Sequence, residues 1–99
     1  MLKLIDYYAD WCGPCQQMKP AMHEVEEEFS GKMQFQQIDV DQEEHREQVQ
    51  AAGVMSIPTF AIVRVDEKGE EEEIDRKLGA MPKDALVSWL NEHLEKEPK

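Results

Sequence analysis

Cysteine is nearly absent from this chain: two in 99 residues, at positions 12 and 15. That excludes a framework of disulfides holding a small secreted fold together. With no second C-x-x-C, and with His23, His45 and His93 too widely spaced to supply a finger-type pair, a structural zinc site is not expected either. Positive charge is also scarce, 11 Lys and Arg against 22 Asp and Glu, for a net charge of -11. A surface of that sign repels phosphates and anionic lipid heads, so no nucleic acid and no membrane partner is expected. The same charge keeps the chain soluble, and it would also suit a salty cytoplasm that screens the self-repulsion. No stretch approaches the run of about 20 apolar residues that crosses a bilayer. Met1 leads straight into a structured pattern and not into a basic start with an apolar centre, so an uncleaved cytoplasmic protein is expected. Repeats and linkers are missing apart from the acidic run Glu70 to Glu73, and residues 1–99 read as a single domain.

The pattern that remains is regular. Leu2 to Tyr8 is mostly apolar without clean alternation, as in a strand covered on both faces, with Asp6 as the intruder. Met18, Met22, Val25 and Phe29 then recur at four, three and four, which predicts an amphipathic helix from Cys12 to about Phe29, stopped by Ser30-Gly31. Residues 33–40 read as a second strand. Asp41 is the expected cap of a helix over about 42–51 that Gly53 closes. Pro58 opens a third strand over 59–65, Asp66 to Gly69 turns a hairpin, and 71–78 returns as a charged edge. Pro82 begins a last helix with Leu86, Trp89, Leu90, His93 and Leu94 on one face. The order βαβαββα, two crossovers followed by a hairpin and a covering helix, predicts an α/β fold with a four-stranded mixed sheet and helices on both faces.

What, then, are two cysteines three apart for? A bridge between them closes so small a loop that it stabilises by only about 2 kcal/mol, which makes it weak glue. A working dithiol explains more. A helix beginning at Cys12 makes its sulfur an N-cap, with the Cys15 amide as the natural donor, and the helix terminus favours the thiolate. Pro14 loses nothing in a first turn whose amides are unpaired, and Gly13 keeps the approach to Cys12 open. Lowering a thiol from a pKa of about 8.5 to about 7 takes about 2 kcal/mol, at the upper end of what a helix terminus supplies. Nucleophilicity falls along with the pKa, so the net gain is only a few-fold, and speed must come from positioning the partner disulfide. Cys15 lies one turn in and faces the protein, as suits the thiol that resolves a mixed disulfide formed at Cys12. Asp10 beside the site opposes the thiolate weakly.

The sequence resembles the thioredoxin family, and not through Trp11-Cys12-Gly13-Pro14-Cys15 alone. Asp6 stands six before Cys12, Pro20 five after Cys15, Ile57-Pro58-Thr59 opens the third strand, and Gly79-Ala80 follows the fourth. The resemblance implies a thioredoxin-like fold over nearly the whole chain and a protein-disulfide reductase that needs no cofactor and no metal. It implies Cys12 as attacking thiol, Cys15 as resolving thiol, and Asp6 buried behind Cys15 as its proton partner. Pro58 would be cis and face the dithiol, with Ile57, Gly79, Ala80 and Trp11 forming the substrate groove. Protein disulfides are the implied substrates and a flavoprotein thioredoxin reductase the electron donor. A disulfide oxidase or isomerase would share these residues, and a non-enzymatic binding module of the same fold would not need the cysteines.

Two departures from the family stand out. Where a lysine commonly partners the buried aspartate, this chain has Gln37, so Asp6 should be harder to ionise, with a hydrogen bond in place of a charge. Tyr8 likewise stands where a tryptophan is usual. The family's leading strand and helix are also missing, which would leave 33–40 as an open edge. The expected state is a monomer, with that edge available for weak pairing to a second chain.

Overall fold

Alternation along one strand sets the layers. The computed structural model describes residues 1–97, and its first strand, β1 (Leu2–Tyr8), is central. Successive side chains of a strand point to opposite faces. Leu2 and Leu4 therefore enter one apolar cluster, and Ile5 and Tyr7 a second on the far side. Asp6 and Tyr8 share the face of Leu4 by the same parity.

The helix α1 (Gly13–Glu28) covers that first face, presenting Met18, Met22 and Val25 at the predicted spacing, and α3 (Lys83–Lys96) lies beside it with Leu86, Trp89 and Leu90. Burial of each such side chain is worth about 1.5 to 3 kcal/mol, so this cluster is the main hydrophobic store. The second cluster is covered by α2 (Arg46–Ala52), through Val49 and Ala52. Helices thus lie on both faces, as expected.

The remaining strands are β2 (Gln34–Asp39), β3 (Thr59–Val65) and the edge strand β4 (Glu71–Leu78), in the order β2-β1-β3-β4. β1 and β2 are parallel across α1, but β3 runs antiparallel to β1, so the second connection is not a parallel crossover. Residues 40–58 leave the sheet and return to it at the same end. Thr59 consequently pairs with Tyr7. The segment after β1, which carries Cys12, and the segment before β3, which carries Pro58, are thereby brought to one end of the sheet.

The helix boundaries add one correction. Asp41 caps nothing: a 3₁₀ turn over Glu43–His45 precedes α2, and neither has a side-chain cap. The Asp41 carboxylate is engaged elsewhere, by Trp11. Gly53 does close α2, in the left-handed conformation at φ 66° that a glycine adopts without strain.

Candidate active site

The helix N-terminus arranges the two sulfurs. Cys12 is the N-cap of α1, in extended conformation, and its Sγ accepts a hydrogen bond from the Cys15 amide at 3.2 Å. Its own amide donates to the Ala9 carbonyl at 3.1 Å, and its carbonyl accepts from the Gln16 amide at 3.0 Å, which fixes the loop onto the helix. Gly13 and Pro14 occupy the first turn, where no backbone donor is needed. A Cβ added at Gly13 would meet nothing within 4 Å, so that side of Cys12 faces open space. The two sulfurs are bonded to each other, with Cα atoms 5.2 Å apart.

Exposure does not rank the pair. Cys12 keeps 4 % of its surface and Cys15 6 %, because the closed disulfide packs with Ala9 against Tyr8, Val40 and Ile57. What distinguishes them is what lies around each. Cys12 follows Trp11, which is 71 % exposed with its indole Nε1 donating to Asp41 at 2.6 Å. Cys15 lines a partly open cavity of about 50 Å³ together with Asp6, Tyr8, Lys19, Met22 and Gln37, room for a few waters.

Asp6 stands where strand parity puts it, on the face covered by α1 and behind Cys15. Burial, and secondarily the charge of Glu26, raises its pKa to about 6. Gln37 pairs with Asp6 across β1 and β2 and lines the same cavity, but its amide donates to Glu26 at 3.5 Å, not to Asp6. The expected substitute hydrogen bond is therefore not made, and the absence of a lysine tells through desolvation. Tyr8 is also held above the usual phenol range, by burial first and then by Asp39, Asp10 and Asp6.

The Ile57–Pro58 peptide is cis, and the Pro58 carbonyl accepts the Gly79 amide at 2.8 Å. Gly79 takes φ 88°, a conformation that an L side chain rarely adopts, so this contact between the two loops needs glycine. Ile57, Pro58, Gly79 and Ala80 thus sit together at the Cys12 end of the sheet. Thr59 anchors the loop through its hydroxyl, which donates to the Ser56 carbonyl at 2.6 Å.

The thioredoxin family model matches residues 1–92. The chain belongs to the thioredoxin family. Thioredoxin of Bacillus subtilis (strain 168) is 37 % identical over 91 residues, which are 92 % of this chain and 81 % of that protein. Among solved structures, the germline-specific thioredoxin Deadhead from Drosophila melanogaster superposes with a TM-score of 0.78 at 30 % identity, covering 92 % of this chain and 79 % of that one. A mutant thioredoxin from Halobacterium salinarum NRC-1 gives a TM-score of 0.77 at 32 % identity, covering 98 % and 78 %. Thioredoxins act on protein disulfides and are re-reduced by thioredoxin reductase. In this chain the Cys12–Cys15 pair occupies the family's active-site position, and the chain is a thiol–disulfide oxidoreductase that works as a reductase.

Sequence reasoning missed part of the surroundings. A groove of about 500 Å³ beside the disulfide is lined by Trp11, Val40, Val49, Val54, Met55, Ser56 and Ile57. Val54 and Met55 directly precede the Ile57-Pro58 loop, and that adjacency was the signal. His93, on the apolar face of the last helix, is half-buried with its Nε2 2.7 Å from an Asp75 carboxylate oxygen, a partner that the sequence pattern does not show. The described residues contain no cluster of potential metal ligands, and no helix among them is long and apolar enough to cross a membrane.

Proposed function

We propose that Cys12 is the attacking thiol and Cys15 the resolving one in the reduction of disulfides in client proteins. The observation that carries this reading is the N-cap geometry, in which the Cys12 sulfur receives the Cys15 amide at the positive end of α1. In the reduced protein the Cys12 thiolate attacks one sulfur of the client disulfide, expelling the other as a thiolate and forming a mixed disulfide. Asp6, ionised, takes the proton of Cys15 through the shared cavity. The Cys15 thiolate then attacks Cys12, releasing the second client sulfur and closing the Cys12–Cys15 bond. Two electrons pass to the client, and a flavoprotein reductase returns them in the reducing compartment, the cytoplasm, that this reading assumes.

Ile57, Pro58, Gly79 and Ala80 would align the client segment, with backbone groups at Ile57 offering hydrogen bonds, and Trp11 would cover it. The working unit is the monomer. Among the described residues β2 is an outer strand, and its free backbone groups support weak pairing with a second chain at high concentration; a sedimentation series that finds only monomer removes that addition.

Cys15→Ser should strand client proteins on Cys12 as mixed disulfides, and Cys12→Ser should abolish turnover with the fold retained. If Cys15→Ser collects no mixed disulfides from a lysate while the wild-type protein turns over, the assignment of the two roles is wrong. A reduction potential well above the glutathione poise would turn the reading toward an oxidase.

A further inference from the structure

Residues 53–58 carry the Ile57–Pro58 peptide, and no helix or strand holds them: α2 ends at Ala52 and β3 begins at Thr59. Met55 within the segment is 94 % exposed, so burial fixes its path only in part. Strand β4 takes hold of it at both ends. Directly after β4 the Gly79 amide donates to the Pro58 carbonyl at 2.8 Å. At the other end Arg76 reaches the close of α2, where Nη2 donates to the Ala52 carbonyl and Nη1 to the Gly53 carbonyl at 3.4 Å. The last carbonyls of a helix have no partners within it, and a cation is favoured at that terminus.

A bulge in β4 gives Arg76 this reach. Val63 pairs with Glu73 and Ile62 with Asp75, which leaves Ile74 as the extra residue. In an unbulged strand, residues three apart point to opposite faces. Past the bulge Arg76 instead shares the face of Glu73: both line one hollow with Tyr7, Val63 and Ala52, while Ile74 packs on the opposite cluster. Glu73 therefore grips the guanidinium from the side, Oε1 accepting from Nη2 at 2.8 Å and Oε2 from Nε at 3.0 Å. Such a two-point pair sets the plane of the guanidinium, and with it the angle at which the two carbonyls are met. A lysine does not replace it, because one ammonium on a flexible stem cannot span a carboxylate and two carbonyls.

Resting on the reductase reading above, we propose that Arg76 is a positioning residue of the reaction: oriented by Glu73, it fixes the path of residues 53–57 so that Ile57 presents its backbone to the client segment. Its hydrogen bonds reach neither sulfur, so it acts through the loop alone. An extended client that lies along Ile57 feels a displaced loop, whereas a small disulfide that meets only Cys12 does not.

The test uses the full chain, kept reduced by a dithiol such as dithiothreitol, and two substrates: a pair of identical extended peptides joined by one disulfide, and a small neutral dipyridyl disulfide. Arg76→Met should raise KM for the peptide disulfide about tenfold, with kcat and the dipyridyl rate within about twofold of wild type. Arg76→Lys should recover about half of that loss on a logarithmic scale, and Glu73→Gln, which weakens the grip but keeps an acceptor, should cost about threefold. Amide hydrogen exchange should quicken at Val54 to Ile57 in Arg76→Met while β1 and α1 keep their protection. An unchanged peptide KM, or exchange that does not quicken at the loop, would overturn the assignment. So would an equal loss on both substrates, since that marks a structural role and not positioning of the client. If Arg76→Met does not fold, the same readings on Arg76→Lys and Glu73→Gln decide. A wild-type protein that reduces neither substrate would instead overturn the reductase reading beneath the proposal.

Discussion

Two aspartates on different strands have opposite surroundings. Asp6 lies in the middle of β1 beneath α1 with no described ion pair or hydrogen-bond donor, and its pKa is pushed up to about 6. Asp75 lies on β4 against α3. One of its oxygens accepts the Trp89 indole at 2.8 Å and lies 2.7 Å from His93 Nε2, while the other accepts the Arg76 amide at 2.7 Å. Partial burial alone would raise the Asp75 pKa, but Trp89, His93 and the Arg76 amide together outweigh it and hold the group below the usual carboxylate range. The same side chain thus faces a cavity without a described protein partner where a proton must move, and is saturated where an edge strand must be tied to a helix. A largely desolvated carboxylate works against folding when ionised, and it persists where the chemistry uses it.

Asp6→Asn breaks this contrast most severely. It removes the acceptor for the Cys15 proton, and general-base groups contribute about 10² to 10⁴-fold, so the resolving step should slow by at least about 100-fold. The rise of that step with pH through about 6 should vanish with it. Rapid-mixing measurement of client release from the mixed disulfide checks both, and an unchanged pH profile in the variant would show that Asp6 is not the acceptor. Stability should move the other way. Because the folded pKa of Asp6 exceeds its unfolded value of 3.8, protonation favours the fold: the contribution is full below about pH 4 and is lost as pH rises through about 6. The loss amounts to about 3 kcal/mol, so Asp6→Asn should stabilise the protein at pH 8 by about 2 kcal/mol and change little at pH 4, as read by urea melts.

Why Asp6 was legible in the sequence and Asp75 was not follows from range. An acid inside an apolar run is a local conflict, visible among Leu4, Ile5 and Tyr7 without any tertiary knowledge. The cap at Cys12, the spacing of Met18, Met22 and Val25, and the loop before Thr59 are local in the same sense, and each lies where expected. Asp75 sits in a strand crowded with charge, and its partners are 14 and 18 residues away on another element. Asp41 misled for the same reason: a short polar residue before a helix reads as a cap, but the indole of Trp11, 30 residues earlier, takes the carboxylate. The direction of β3 rests on the end of the sheet to which residues 40–58 return, which hydrophobic pattern does not encode. The groove of Val40, Val49, Val54 and Met55 is assembled from three separate segments, so beyond Val54 and Met55, which stand beside the Pro58 loop in sequence, only the fold reveals it.

Gln37→Lys tests the contrast from the other side by giving Asp6 what Asp75 already has. Gln37 faces Asp6 across the parallel ladder and shares its cavity, so a lysine there approaches the carboxylate and also neutralises Glu26, the second cause of the upward shift. An opposite charge within reach lowers a carboxylate pKa by about 1 to 3 units; allowing for a partly hydrated cavity, about one unit is expected. The inflection in the resolving step should therefore move from about 6 toward about 5. An inflection that stays in place would mean that burial alone governs Asp6.

The smallest effect is expected at the satisfied end, from Trp89→Phe. The ring remains to fill the core between Leu86 and Leu90, while the indole donor to Asp75 is lost. Asp75 keeps the Arg76 amide and His93, so it is not left unsatisfied, and two-fifths of its side chain is solvent-exposed. One hydrogen bond to a partly screened carboxylate is worth about 1 kcal/mol, which in a domain of this size lowers Tm by about 4 to 8 °C. The pH dependence supplies the sign. The Asp75 pKa is depressed in the folded state, so its contribution is present above the unfolded value of 3.8 and lost as pH falls through the lower folded value. The variant and the wild type should accordingly differ at pH 6 and converge in acid, the reverse of the Asp6→Asn pair, which differs at high pH and converges near pH 4. A Trp89→Phe deficit that persisted unchanged into acid would assign the loss to packing and not to the bond with Asp75.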